Sequence, residues 1–423
     1  VAIVHDSPVQ LLVSDDLKRS RLTVFFRLLL AIPHLIWFSL WGIVALVAVI
    51  TNWFATLIAG QSPQALHNFL GAYVRYAIHV GAYLFLAADP FPGFLGERGY
   101  PVDVEIAPPR PQNRWTVFFR LLLAVPALII AGALTSSGAR SYGTSYSYGV
   151  IAIVAFLGWF AAIALARLPR GLRDVTAYAL AYSAQLDAYL FLLTDRYPNS
   201  DPLVAIPDVP VRGEDPIQLE VSDDLRRSRL TVLVRILLVI PHVLWLIVWT
   251  ILAYLAAIVN WFATLIRGVS PGELHDFLAS YVRYRTHVYA YLFLIANPYP
   301  GFVGRIGSYP VEPLIEGPRV QNRWRVFFRA FLALPASLIR AAYGGLLGTM
   351  AFLGWFASLV NGRMPLGMRN AGALALRYSA QSSGYVLLLT DSYPYSGPSL
   401  RALPASPDAP PQPLPGSYPQ QAT

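Results

Sequence analysis

Histidine, arginine and glycine are the residue types whose spacing in this chain could support chemistry. Of the seven histidines, His34, His67 and His79 recur as His242, His275 and His287. His67 and His79 are spaced so that they would sit about 120° apart on one helix and could not easily chelate one ion as a pair. No HExxH or neighbouring carboxylate pattern accompanies them, so no metal site is expected. Arg27 lies inside the apolar run RLTVFFRLLLAIPH, ahead of Pro33, and the arrangement returns at Arg120 and Pro126, Arg235 and Pro241, and Arg329 and Pro335. A charge in such a segment is costly and often functional. Arg27 is also only about 9 Å into its segment, within snorkelling reach of headgroups, so anchoring is the first expectation. The alternative is that the four arginines converge on a lipid phosphate, or on the acids at the ends of later helices. The loops GFLGERG after Gly93 and GFVGRIG after Gly301 could offer amides to an anion, but they match no phosphate-loop pattern and read first as turns. GTSYS at Gly143 misses G-x-S-x-G, and the absence of cysteine removes thiolate chemistry. No catalytic residue, cofactor or metal ligand is therefore assigned, and the chain reads as a non-enzyme.

The elements that hold these residues are apolar. The 423-residue chain is 56% hydrophobic and 13% charged, against roughly a quarter charged in an ordinary soluble domain. Uncharged stretches such as 42–60 and 150–166 approach the roughly 17 to 25 residues that a bilayer crossing needs. Residues 1–20 lack the features of a secretory signal, so the first apolar segment is expected to be an uncleaved anchor. The net charge of +9 fits basic cytoplasmic loops and carries no nucleic-acid motif.

Self-comparison divides the chain into four units. VSDDLKRSRLTVFFRLLLAIPH returns as VSDDLRRSRLTVLVRILLVIPH, and weaker copies begin at Asn113 and Asn322. The expected units are 1–107 (hairpin 22–60, amphipathic helix 65–88), 108–208 (hairpin 115–166, helix 170–194), 209–317 (hairpin 230–266, helix 273–296) and 318–398 (hairpin 324–361, helix 366–390). A proline-rich tail at 399–423 should be disordered. Hairpins are expected because the two apolar segments of the first unit, run as one helix, would reach about 57 Å, twice the hydrocarbon thickness. The second unit carries a polar insert, TSSGARSYGTSYSYG, between its two segments, and Gly42 and Gly344–Gly345 mark the corresponding tips elsewhere. On that plan all of the 32 basic residues except Arg140 and Arg340 lie on one side, which the positive-inside rule makes cytoplasmic. Eight crossings with both termini cytoplasmic follow.

The third helix of the first unit, HNFLGAYVRYAIHVGAYLFL, gathers Asn68, Arg75, His79 and Tyr83 on one side and suits an interfacial position. Its counterpart in the third unit carries Arg283, Arg285 and His287. The candidate headgroup or partner contacts are therefore Arg27, Arg75, His79, Arg120, Arg235, Arg283, Arg285, His287 and Arg329. Asn52 and Asn260 are expected to bond across helices. Val102-Asp-Val-Glu-Ile and Ile217-Gln-Leu-Glu-Val alternate with period two and predict short strands between units.

The set Arg-x5-Pro, Asn-Trp-Phe and YVRYxxHVxAYLFL, closing on DPFP or NPYP, resembles a bacterial membrane family catalogued as domain of unknown function 4389. The resemblance covers the odd units well and the even ones more loosely, and it implies a bacterial membrane protein without supplying catalytic residues. The expected fold is an all-α integral membrane protein of four units, each a transmembrane hairpin plus an amphipathic interfacial helix, with short cytoplasmic strands between them. The expected role is lipid binding or scaffolding at the cytoplasmic leaflet of the bacterial plasma membrane, with membrane lipids, anionic ones included, and a membrane protein as partners. A transporter is the alternative, because internal repeats are common in that class. A membrane-embedded enzyme is the third reading.

Overall fold

A computed structural model describes residues 7–135, 149–205 and 215–402. Most of the polar insert, with Arg140 and GTSYS, and most of the proline-rich tail lie outside the described residues.

Strand β1 (Val9–Val13) leads into helices α1 (Arg21–Leu30), α2 (Ile32–Ala59) and α3 (Gln64–Leu84). Strand β2 (Val102–Ile106) precedes the second repeat, with α4 (Arg114–Phe118), α5 (Arg120–Thr135), α6 (Val150–Leu165), α7 (Arg170–Leu190) and the single turn α8 (Pro202–Ala205). The third repeat is β3 (Ile217–Val221), α9 (Arg229–Arg267) and α10 (Gly272–Leu292). The fourth is β4 (Val311–Ile315), α11 (Arg323–Phe327), α12 (Arg329–Asn361) and α13 (Leu366–Val386), followed by the short strand β5 (Arg401–Ala402). Both strands read from period-two alternation are present with the expected limits.

The hairpins are not. Residues Arg21–Ala59 and Arg229–Arg267 each run as one helical stretch of 39 residues, and Arg329–Asn361 as one of 33. No tip forms at Gly42, where a Cβ would lie 3.1 Å from the Tyr73 hydroxyl, so the missing side chain lets α3 approach. Nor does one form at Gly344 and Gly345, which sit mid-helix. A glycine inside a helix costs about 1 kcal/mol, too little to reverse a chain that has no turn residues around it. Only the second repeat, which owns the polar insert, has two separate helices, and there α5 packs on α6. The eight-crossing topology falls with the hairpins. All three unbroken helices are long and apolar enough to cross a membrane.

The described chain forms two compact units. One gathers the described residues of Val1–Arg212, Leu334–Leu353 and Tyr395–Ser399, and the other those of Gly213–Ala333, Gly354–Pro394 and Leu400–Thr423. In the first, α3 packs on α7, β1 pairs antiparallel with β2 (Val9 opposite Ile106, Val13 opposite Val102), β1 lies on α7 and β2 on α3. β1 thus covers the third helix of the second repeat, while β2, at the end of the first repeat, lies on the third helix of that same repeat. The second unit repeats the arrangement: α10 packs on α13, β3 pairs antiparallel with β4, β3 lies on α13 and β4 on α10.

Those third helices are interior elements, not interfacial ones. Tyr76, Tyr178, Tyr284 and Tyr378 are fully buried, and α7 and α13 bury residues all round their circumference. Alanine, glycine and serine between the tyrosines let neighbours close in on every side, so burial replaces the one-sided pattern expected of a helix lying in headgroups. The long helices do the opposite. From Leu22 to Ile58 and from Leu230 to Ile266, large apolar side chains such as Leu28, Ile43, Val47, Ile58, Ile236, Ile251 and Ile266 stand exposed.

Candidate functional site: arginine clamps and ion-paired cores

Each repeated arginine is buried, at 1–3% exposure, and turns back onto the end of its own repeat's third helix. Arg27 donates through Nη1 to the carbonyls of Tyr83 (2.7 Å) and Ala88 (2.9 Å), and through Nη2 to the Asp89 carboxylate (2.5 Å). Arg235 reaches Tyr291 O (2.5 Å), Ala296 O (3.0 Å) and Asn297 Oδ1 (3.0 Å). Arg120 donates to Thr194 O (3.2 Å) and Gln112 Oε1 (2.6 Å), and Arg329 to Thr390 O (3.3 Å), Gln321 Oε1 (2.7 Å) and Asp391 Oδ1 (3.2 Å). Each guanidinium carbon also sits 4.1–4.4 Å from the ring centroid of Tyr83, Tyr189, Tyr291 or Tyr385. The orphan carbonyls that end a helix thus receive charged donors.

The turn beyond explains why an arginine is needed. Leu86, Leu192, Leu294 and Leu388 all have φ of 61–65°, a left-handed conformation that costs a leucine about 1–2 kcal/mol. Glycine would fit the backbone, but these leucines are buried and pack into the core. In the odd repeats a second arginine fixes the turn. Arg19 donates to Leu86 O (2.8 Å) and Ala87 O (3.1 Å) while bonding both oxygens of Asp15, and Arg227 does the same with Leu294 O (2.9 Å), Ile295 O (3.0 Å) and Asp223. Sequence reading passed over this pair. Its signal was the i,i+4 acid and base inside the repeated VSDDLKRS and VSDDLRRS.

Arg75 and His79 meet at Asp103 of β2, at 3.3 Å and 3.0 Å, and Arg283 and His287 meet at Glu312 of β4, at 2.8 Å and 3.0 Å. The Gly99 amide adds a hydrogen bond to Asp103 Oδ2 (2.8 Å). Burial pushes the Asp103 carboxyl up, but bonds from His79, Gly99 and Val104 outweigh it and hold the group below its ordinary value. The site needed Asp103 and Glu312, which no sequence motif had marked. Gly96 and Gly304 press the following loop onto α3 and α10, at φ of 66° and 60°, where a Cβ would come 2.4 Å from Ala72 O or 2.6 Å from Ser280 O. These glycine loops therefore pack against helices rather than cradle an anion. Arg285 instead spans from α10 to Ser379 and Ser383 of α13.

Of the proposed headgroup contacts, the four clamp arginines, Arg283, His79 and His287 are thus buried among protein partners, with Arg75 and Arg285 half-buried. The alternative raised for the arginines, convergence on acids at the helix ends, is what Arg27 and Arg329 do. Asn52 and Asn260 bond across repeats as expected, donating to Phe191 O (2.8 Å) and Leu387 O (3.1 Å). Four tryptophans do likewise: Trp53 Nε1 donates to Val117 O, Trp159 to Val24 O, Trp261 to Val326 O and Trp355 to Val232 O. Among the described residues no three histidines, cysteines or carboxylates come together as a metal site would require.

The repeat geometry coincides with four matches, at residues 21–95, 145–200, 229–304 and 323–396, to the family described as Domain of unknown function (DUF4389). The chain belongs to the DUF4389 family. No curated protein and no solved structure matches it. The first, third and fourth DUF4389 matches run from the long apolar segment through the third helix to the turn beyond, so the clamp arginine and the turn it bonds lie inside the matched residues of those copies. In the second, the match begins after Arg120.

Proposed function

We propose that this DUF4389 protein is embedded in the bacterial plasma membrane and acts there by binding lipid or a membrane partner rather than by catalysis. The observation that carries the reading is the exposed apolar surface of the long helices. Their large side chains face outward along most of their length, far beyond the few hundred Å² of apolar patch that a soluble monomer tolerates. A bilayer supplies the missing partner for that surface. The polar chemistry supports the non-catalytic half of the reading, because the clamp arginines and the Asp103 and Glu312 groups are taken up by protein partners and pair no nucleophile with a base.

The test is fractionation followed by reconstitution. The full chain should stay with bacterial inner membranes through alkaline carbonate extraction and should float with neutral phosphatidylcholine vesicles. Release by carbonate would remove the membrane reading, and substrate-dependent flux across reconstituted vesicles would replace the binding role with transport.

A further inference from the structure

We propose that each compact unit carries a headgroup site for anionic phospholipid, built from Lys18, Arg21 and Arg167 in one and from Arg226, Arg229 and Arg363 in the other. This inference rests on the membrane reading above and replaces the buried arginines as the lipid contacts. The site forms where the start of an odd repeat's long helix meets the end of the even repeat's second apolar segment. There Arg19 N–H donates to Ala166 O (3.0 Å) and Leu168 N–H to Leu17 O (2.9 Å), which sets Lys18 opposite Arg167. Arg227 N–H to Gly362 O (2.8 Å) and Met364 N–H to Leu225 O (2.8 Å) set Arg226 opposite Arg363 in the same way. One turn on, Arg21 Nη2 donates to Ala164 O (3.1 Å) and Arg229 Nη2 to Val360 O (2.8 Å), which brings a third base to each junction.

All six side chains are exposed. The acids Asp15 and Asp223 are turned inward and held by Arg19 and Arg227, while Asp16 and Asp224 stay exposed and accept from the backbone amides of Lys18 and Arg226, which leaves three bases to one outward acid at each junction. Lys18 alone pairs outward, with Asp16 at 3.5 Å, and both of those groups are largely solvated. Beside each cluster the apolar helix face begins, with Leu22 and Leu165 in one unit and Leu230 and Val360 in the other, all 63–71% exposed. Base next to an unbroken apolar face matches the two ends of a phospholipid, a phosphodiester and its acyl chains. An acidic peptide would use the charge but leave that face uncovered.

The test reconstitutes the full chain in vesicles of phosphatidylcholine with and without phosphatidylglycerol, and measures the lipid that remains on the protein by native mass spectrometry. Wild type should retain phosphatidylglycerol over phosphatidylcholine by roughly tenfold or more. K18Q/R21Q/R167Q and R226Q/R229Q/R363Q should each lose about half of that lipid and their combination nearly all, whereas R98Q/R305Q should lose none. Replacing the arginines by lysine keeps the charge and should restore retention, which separates lipid loss from a folding defect. Excess inorganic phosphate should not displace the lipid; displacement would make the site one for free phosphate. Equal retention of both lipids by wild type, or full retention by the combined glutamine variant, overturns the proposal while leaving flotation on neutral vesicles, and so the membrane reading, intact. Failure to float on any vesicle sinks both.

Discussion

The cost of a charge in an apolar segment is offset here by bonding it to carbonyls that would otherwise lack donors. Arg27→Met should therefore strip the end of α3 of two carbonyl bonds and leave Asp89 without its ion-pair partner, destabilising the protein by about 3–5 kcal/mol in detergent unfolding. Arg27→Lys should recover only part of this, since one ammonium cannot reproduce the fork. Two carboxyls contribute to the pH dependence in separate windows. Asp103 has its pKa held below the unfolded value of 3.8, so its stabilisation is complete above that value and is lost as pH falls through the folded pKa. Asp187 on α7 is pushed up to about 7 by burial, and among the described residues it has no ion pair. Between about pH 4 and 7 the unfolded chain gives up this proton while the folded one keeps it, so the Asp187 contribution to stability should fall by about 2–4 kcal/mol across that interval, against an opposite contribution from His67, whose pKa burial lowers. Asp187→Asn should flatten this slope in unfolding measured from pH 4 to 8, and an unchanged slope would assign it to another group. The alternation of the strands was readable in sequence, but not that Asp103 would be the meeting point of Arg75 and His79, because the contact joins a helix to a strand 24 residues beyond His79.

The elements divide labour by where their small residues fall. In α7 and α13 small residues occur all round the helix, so neighbours close in on every side. In α2 and α9 the branched and aromatic residues stand outward. Gly96 and Gly304 show how tightly the third helices are covered. Gly96→Ala would set a methyl group against the Ala72 carbonyl in a left-handed backbone, and should cost at least about 2 kcal/mol in thermal unfolding, whereas Gly99→Ala meets open space and pays only for its φ of 97°. Equal effects would show that the loop moves away. The long helices were legible as apolar segments, and their continuity was not. The expectation of a break came from comparing contour length with bilayer thickness, but nothing in α2, α9 or α12 provides a reversing turn; Pro241 and Pro335 each remove one hydrogen bond without ending the helix, and Pro33 sits in the first turn of α2, just past the join with α1.

Across the molecule, the odd and even repeats of each pair complete one another. Asn52, Trp53 and β1 find partners in the second repeat, and Trp159 finds its partner in the first. A chain ending after residue 107 should therefore lack cooperative unfolding and be cut readily by protease. A protease-resistant fragment would mean that one DUF4389 repeat folds alone. By itself the sequence determined the apolar character, the fourfold repeat with its arginine, tryptophan and closing turn, the two interrepeat strands and the family, because these are properties of residue type and local period. Only the tertiary structure decided that the arginines close helix ends, that the third helices are interior and that a different set of bases is left facing outward. Those outcomes depend on which repeat each side chain meets, and a pairing between residues tens of positions apart leaves no periodic trace in a single sequence.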